Sequence, residues 1–203
     1  MNELSNRLMC YTCYRPKSSC MCKHIYSLKT STHFVLLMHP KEFKKTKNGT
    51  GYFTHLSLPN SSLYVGIDFS KHREINEMLN NPNNLCYVIY PSSQSINLNT
   101  QNISQSQKNT ILFLIDATWP CSRAMLLKSS NINNLPKVSF THTKTSSFGF
   151  KKQPKEYCLS TIESTQSILE LLSHHKIENI SSDELKEFLT PFKEMVRYQQ
   201  SML

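Results

Sequence analysis

Five short apolar runs punctuate the chain: His33–Met38 (HFVLLM), Leu63–Phe69, Cys86–Tyr90 (CYVIY), Ile111–Ile115 and Val138–Thr141. Several are continuous rather than alternating, the pattern of strands covered on both faces. Between them lie stretches with helical spacing: His72–Leu79, Pro120–Lys128, and Thr161–His174 with Ile162, Ile168, Leu169 and Leu172 on one stripe. A last helix is expected from Ser182, where SDELKEF supplies a cap and early acids, and Pro191 should kink or break it. Strands alternating with helices predict an α/β fold, with a mainly parallel sheet flanked by helices. The polar, glycine-free stretch Ser92–Thr110 reads as a surface loop or weak helix.

A chain of 203 residues has room for one domain with a small appendage. Lysine and arginine number 23 against 14 acids, a net charge of +9. That balance suits a polyanion, nucleic acid first, although a merely basic surface would give the same count. No signal-peptide core opens the chain and no run of about 18 apolar residues occurs. A soluble, cytoplasmic protein without a membrane segment is therefore expected. Only four glycines are present, and neither a P-loop nor a dinucleotide-binding fingerprint occurs, so both of those cradles are excluded. A Rossmann-type methyltransferase, which needs a glycine-rich first turn, is unexpected for the same reason.

Four of the seven cysteines stand close together as C-x2-C-x6-C-x-C: Cys10, Cys13, Cys20 and Cys22. In a reducing compartment such spacing fits a tetrahedral four-thiolate site for Zn(II), ahead of a redox pair or an iron–sulfur cluster. Four protein ligands leave no open position, so the metal would be structural and would fold a segment too short to hold itself. Arg15 and Lys17 within this knuckle could meet RNA or simply face solvent.

Asp116 ends the run ILFLI, and Thr118, the chain's single tryptophan Trp119, and Pro120 open the next helix. Aspartyl phosphotransfer needs a second acid two residues on, where Thr118 stands instead, and Cys121 with Arg123 lacks a cysteine phosphatase loop. Thr118 could be a helix cap and Trp119 a core filler. Thr161 opens another helix in LSTIES, with Glu163 in its first turn. HPKEFKKTKNGTG follows the first strand, and YPSS follows the third. Their shared place at strand ends or helix starts is what makes one common ligand site plausible.

In order along the chain, the tetracysteine knuckle, LLMHPKE, NGTG, YPS, the D-x-T-W core (Asp116, Ala117, Thr118, Trp119), FGFKKQP and LSTIE resemble the DTW-domain family. The resemblance spans nearly the whole chain. It implies a zinc knuckle over residues 1–30 and a SPOUT-like, knotted α/β catalytic domain over residues 31–203. It also implies a tRNA-uridine aminocarboxypropyltransferase, which moves the 3-amino-3-carboxypropyl group of S-adenosylmethionine to N3 of a tRNA uridine and releases methylthioadenosine. A SPOUT-type RNA methyltransferase and a non-catalytic zinc-ribbon RNA-binding protein are the alternatives.

Read onto this chain, Asp116, Thr118 and Trp119 form the catalytic corner. Asp116 would be the base or orienting group for the uracil imide, and Trp119 a stacking surface or a core residue. Tyr90, Pro91 and Ser92, with Leu159, Ser160, Thr161 and Glu163, would bind the donor. Lys41, Lys44, Lys45, Lys47, Arg123, Lys151 and Lys152 would contact tRNA phosphates, with Tyr52 or Phe148 stacking on bases.

Overall fold

The computed structural model of the chain describes residues 8–44, 49–103, 107–142 and 159–202. Six strands form one sheet: β1 (His33–Met38), β2 (Ser61–Val65), β3 (Asn84–Ile89), β4 (Ile96–Asn97), β5 (Asn109–Asp116) and β6 (Lys137–Ser139). Every pairing is parallel, in the order β2-β1-β5-β3-β6-β4. Around them lie α1 (Pro40–Phe43), α2 (Gly51–Ser57), α3 (Arg73–Asn80), α4 (Trp119–Lys128), α5 (Ser130–Asn133), α6 (Thr161–His174), α7 (Ser182–Phe188) and α8 (Thr190–Gln200).

The continuous apolar runs have the expected cause. In β1, Phe34 and Leu36 face one core while Val35 and Leu37 face the other. β5 alternates likewise, with Leu112 and Leu114 against Ile111 and Phe113. The first core is closed by Phe53, Ile168, Leu169, Leu172, Phe188, Phe192 and Met195, the second by Phe69, Ile75, Met125 and Ile132. Burying each such side chain stabilises the fold by roughly 1.5–3 kcal/mol. Met21 and Leu28, near the N-terminus, belong to the first core.

Strand limits shift for identifiable reasons. The run expected at Leu63–Phe69 leaves the sheet after Val65, because its neighbour β1 ends at Met38; Gly66 N still donates to Met38 O at 3.0 Å. Phe69 then turns into the second core, its amide donating to Ser129 Oγ at 2.9 Å. β3 starts two residues earlier than the apolar run, and β6 ends at Ser139 rather than Thr141. The polar stretch Ser92–Thr110 contributes the edge strand β4 and two buried side chains, Leu98 and Ile103. Helices α1 and α2 carry no long apolar period, being only four and seven residues long, and went unread in the sequence. The last helix does break: α7 stops at Phe188, and Pro191 sits in the first turn of α8, where its missing N–H costs nothing.

The connections decide where a ligand can enter. After β1 the chain passes to α2 on the first core, whereas after β5 it passes to α4 on the second. β1 and β5 are neighbours, with Met38 opposite Asp116. Their ends therefore diverge to opposite faces, and the crevice between them is a topological switch point, the usual ligand site of an open parallel sheet.

Candidate active site and metal centre

The knuckle is built from two tight pieces. Cys10 N donates to Arg15 O (2.7 Å) and Tyr14 N to Cys10 O (2.8 Å), which brings Cys10 and Cys13 together. Single 3-10 turns at Lys17–Ser19 and Cys22–His24 then return Cys20 and Cys22 to the same point. All four Sγ atoms lie within 4.8 Å of one another, with Cys10–Cys22 at 3.6 Å and Cys13–Cys20 at 3.7 Å. A tetrahedron with metal–sulfur bonds of ~2.3 Å has edges of about 3.8 Å, so the thiols stand where zinc would need them. The backbone amides of Cys13 and Thr12 hold the Cys10 thiol down at about 6, while burial pushes that of Cys22 up.

Arg15 does not face RNA. It is 3 % exposed, with its guanidinium 4.5 Å from the centre of the Phe53 ring and Nη2 donating to Met195 Sδ at 3.0 Å. Burial lowers its pKa to about 10, opposed by the neighbouring Cys13 and Cys20 thiols. Arg15 thus ties the knuckle to α2 and α8, and Lys17 is the exposed cation of the pair. Protein prepared without chelators should contain one zinc per chain. Cys22→Ser should lose the metal and melt several degrees lower, since Arg15 and Met21 lose their anchor. Elemental analysis that finds no metal in the unaltered protein would refute the zinc assignment.

At the switch point, Asp116 is 8 % exposed. Its backbone O accepts from His39 N (3.0 Å), and its Oδ1 accepts from Thr161 Oγ1 (2.6 Å). Its Oδ2 lies over Gly51: a Cβ built there would stand 2.1 Å from that oxygen and 2.9 Å from Met38 Cε. Gly51 is thus required by close approach. Neither Gly51 nor His39, the N-cap of α1, was singled out in the sequence, although NGTG carries two of the chain's four glycines.

Thr161 is free to bond Asp116 because another residue starts α6. Ser160 is the N-cap, and its N and Oγ both donate to Glu163 Oε2, at 2.9 and 2.6 Å. Capping therefore belongs to Ser160 and Glu163, not to Thr161. At the other corner Thr118 is exposed and makes no side-chain cap bond; Pro120 in the first turn and the Ser122 hydroxyl, which donates to Trp119 O at 2.9 Å, support the start of α4. Trp119 is not a core residue: it is 51 % exposed, and its ring meets that of Tyr90 edge-on at 6.1 Å.

A cavity of about 360 Å³ opens beside this corner. Tyr90, Pro91, Trp119, Leu159 and Thr161 line it, together with Ser122, Ser139, Phe140, His142 and Ser164, which sequence reasoning missed. Those five gather only when β5, β6, α4 and α6 pack, so no local motif marks them. Asp116 stands behind the wall, reaching it through Thr161. Thr118, Ser92, Ser160 and Glu163 are not on the wall; Ser92 instead forms a turn in which Ser95 Oγ donates to its O at 2.8 Å. Size and lining, mostly apolar with a few convergent hydroxyls, suit a nucleoside-like ligand.

Of the expected phosphate contacts, Lys41, Lys44 and Arg123 are exposed. Lys45, Lys47, Lys151 and Lys152, like Phe148, lie outside the described residues. Among the described residues no helix is long and apolar enough to cross a membrane.

A six-stranded parallel sheet with a cavity at the ends of β3, β5 and β6, and an N-terminal four-cysteine cluster that could hold a metal ion, define the class as α/β. The chain belongs to the DTW-domain family, whose profile matches residues 7–200. It is 30% identical over 203 residues to the tRNA-uridine aminocarboxypropyltransferase 2 of Drosophila melanogaster, covering 96% of this chain and 76% of that protein. It is 26% identical over 176 residues to the mouse protein of the same name, covering 85% of this chain and 59% of the mouse protein. The Macaca fascicularis protein of that name is also 26% identical, over 169 residues, covering 80% of this chain and 56% of its own length. No solved structure matches.

Proposed function

We propose that the protein is a tRNA-uridine aminocarboxypropyltransferase. It would transfer the 3-amino-3-carboxypropyl group of S-adenosylmethionine to N3 of a tRNA uridine, in a reducing compartment such as the cytoplasm. The observation that carries this reading is the Thr161–Asp116 bond at the wall of a nucleoside-sized cavity, in a chain of the DTW family. The parallel sheet, with β5 inserted between β1 and β3, is compatible with the SPOUT-like fold that the family resemblance implies.

The donor's sulfonium activates three carbons, so choosing Cγ over the methyl is a matter of positioning. Tyr90, Pro91 and Leu159 hold the adenosine against apolar walls, while the first-turn amides of α6 face the donor's carboxylate. Ser160 and Glu163 fix that helix start, and the Ser92 turn fixes Tyr90 and Pro91. Trp119 stacks on a base at the cavity mouth. Uracil N3 carries a proton and attacks only as that proton leaves. Thr161 Oγ1 accepts it while passing its own proton to Asp116 Oδ1. The N3–Cγ bond forms, the Cγ–S bond breaks, and methylthioadenosine departs. Cys10, Cys13, Cys20 and Cys22 would hold zinc with no open coordination position, so the metal would be structural.

Incubation with bulk tRNA and S-adenosylmethionine, followed by nucleoside mass analysis, tests the reading. Aminocarboxypropyl-uridine and methylthioadenosine are the expected products. Methylated uridine with adenosylhomocysteine would make the protein a methyltransferase instead.

A further inference from the structure

Three aromatic rings meet on the surface between the knuckle and the strand ends. Tyr14 packs edge-on against Tyr52 at 5.1 Å, Phe43 stands 6.0 Å from Tyr52, and Tyr14 stands 6.3 Å from Phe43. They come from three separate pieces of chain: the knuckle turn, α1 and α2. Tyr14 is 43 % exposed and Phe43 38 %. Tyr52 is half-buried, so burial accounts for part of that ring but not for Tyr14 and Phe43.

Tyr14 is the more telling residue. Its φ is 53°, in the left-handed region, because the turn that closes Cys10 on Cys13 demands it. Glycine would take that position without steric cost, whereas a bulky side chain is an outlier there. The ring is not repaid by burial, and what it gains is a place beside Phe43 and Tyr52. Strain kept for an exposed ring points to a ligand for that ring.

We propose that Tyr14, Phe43 and Tyr52 form a stacking platform for unpaired RNA bases next to the target uridine. Charge names the occupant. Lys41 and Lys44 are exposed within three residues of Phe43 along the chain, and exposed Lys17 lies three residues beyond Tyr14, so each supplies a cation on the same segment as a ring. Aromatic rings interleaved with lysines fit single-stranded nucleic acid better than a protein partner. Position agrees, since Tyr52 follows Gly51, whose backbone lies against Asp116. Asp116 in turn reaches the cavity wall through Thr161, so the rings and the cavity are linked through one carboxylate. This rests on the proposed function for its substrate.

The test is tRNA binding measured without donor, so that it does not depend on catalysis. Tyr14→Gly should keep its zinc and melt no lower than the unaltered protein, because the strained backbone is relieved. Its affinity for tRNA should nevertheless fall about tenfold, within the roughly 5- to 150-fold that one stacked base is worth. The salt slope should stay the same. Tyr14→Phe should bind normally, and Phe43→Ala should weaken binding in the same salt-independent way. Lys41→Ala with Lys44→Ala should weaken binding and flatten the slope. A folded, zinc-bound Tyr14→Gly protein with unchanged tRNA affinity would overturn the platform and leave the rings as a docking face for protein. If tRNA binds through these rings but no uridine is modified, the platform stands and the proposed reaction falls.

Discussion

Asp116→Asn should fold, bind S-adenosylmethionine nearly as well as the unaltered protein, and lose transfer by roughly 10²-fold or more. The asparagine Oδ1 can still accept the Thr161 hydroxyl at the 2.6 Å seen for aspartate, so shape and packing persist. The substitution removes only a group able to take a proton. Thr161→Val breaks the same path one atom earlier and should cost as much, while Thr161→Ser keeps a hydroxyl and should restore most of the rate. Donor affinity by calorimetry and single-turnover formation of modified uridine separate binding from transfer. Near-normal turnover in a folded, donor-binding Asp116→Asn protein would remove Asp116 from the mechanism.

Gly51→Ala should be as damaging, for a steric rather than an acid–base reason. The new methyl would sit 2.1 Å from Asp116 Oδ2 and 2.8 Å from its Cγ, distances that real Cβ atoms do not tolerate. Either the carboxylate rotates away from Thr161 or α2 backs off from β1 and β5. Overpacking of this kind costs about 1–3 kcal/mol, a fall in melting temperature of roughly 2–10 °C. The displaced carboxylate should cost activity by about 10²-fold as well. Because both substitutions act through one carboxylate, the double variant Gly51→Ala with Asp116→Asn should lose little more activity than Asp116→Asn alone. Additive losses would show that Gly51 serves some other purpose.

The amino-acid sequence by itself determined the parts whose physics is local. Four cysteines within thirteen residues specify a tetrathiolate cluster, because thiolate chemistry and short loops leave few other arrangements. Helix α6 was legible to the residue, from Thr161 to His174, because its apolar stripe is long and regular. β1 was equally clear, since all six of its residues lie in one apolar run between polar neighbours. The D-x-T-W motif and its companions carried the family, as their order along the chain is rarely met by chance.

What pairwise proximity decides, only the tertiary structure settled. Thr161 and Asp116 are 45 residues apart, and nothing in either segment says that one bonds the other. Thr161 read as the residue opening α6, and the capping box that Ser160 makes with Glu163 is what leaves Thr161 for the site. Arg15 looked like a surface cation because charge usually seeks water, yet the Phe53 face and the adjacent thiols make a buried position tolerable. Trp119 could be a stacking surface or a core residue on sequence alone, and the packing of its neighbours leaves it half exposed at a cavity mouth beside Tyr90. Gly51 shows the limit most plainly. Its want of a side chain matters only because Asp116 arrives from another strand, and a contact between distant segments has no signature in either one alone.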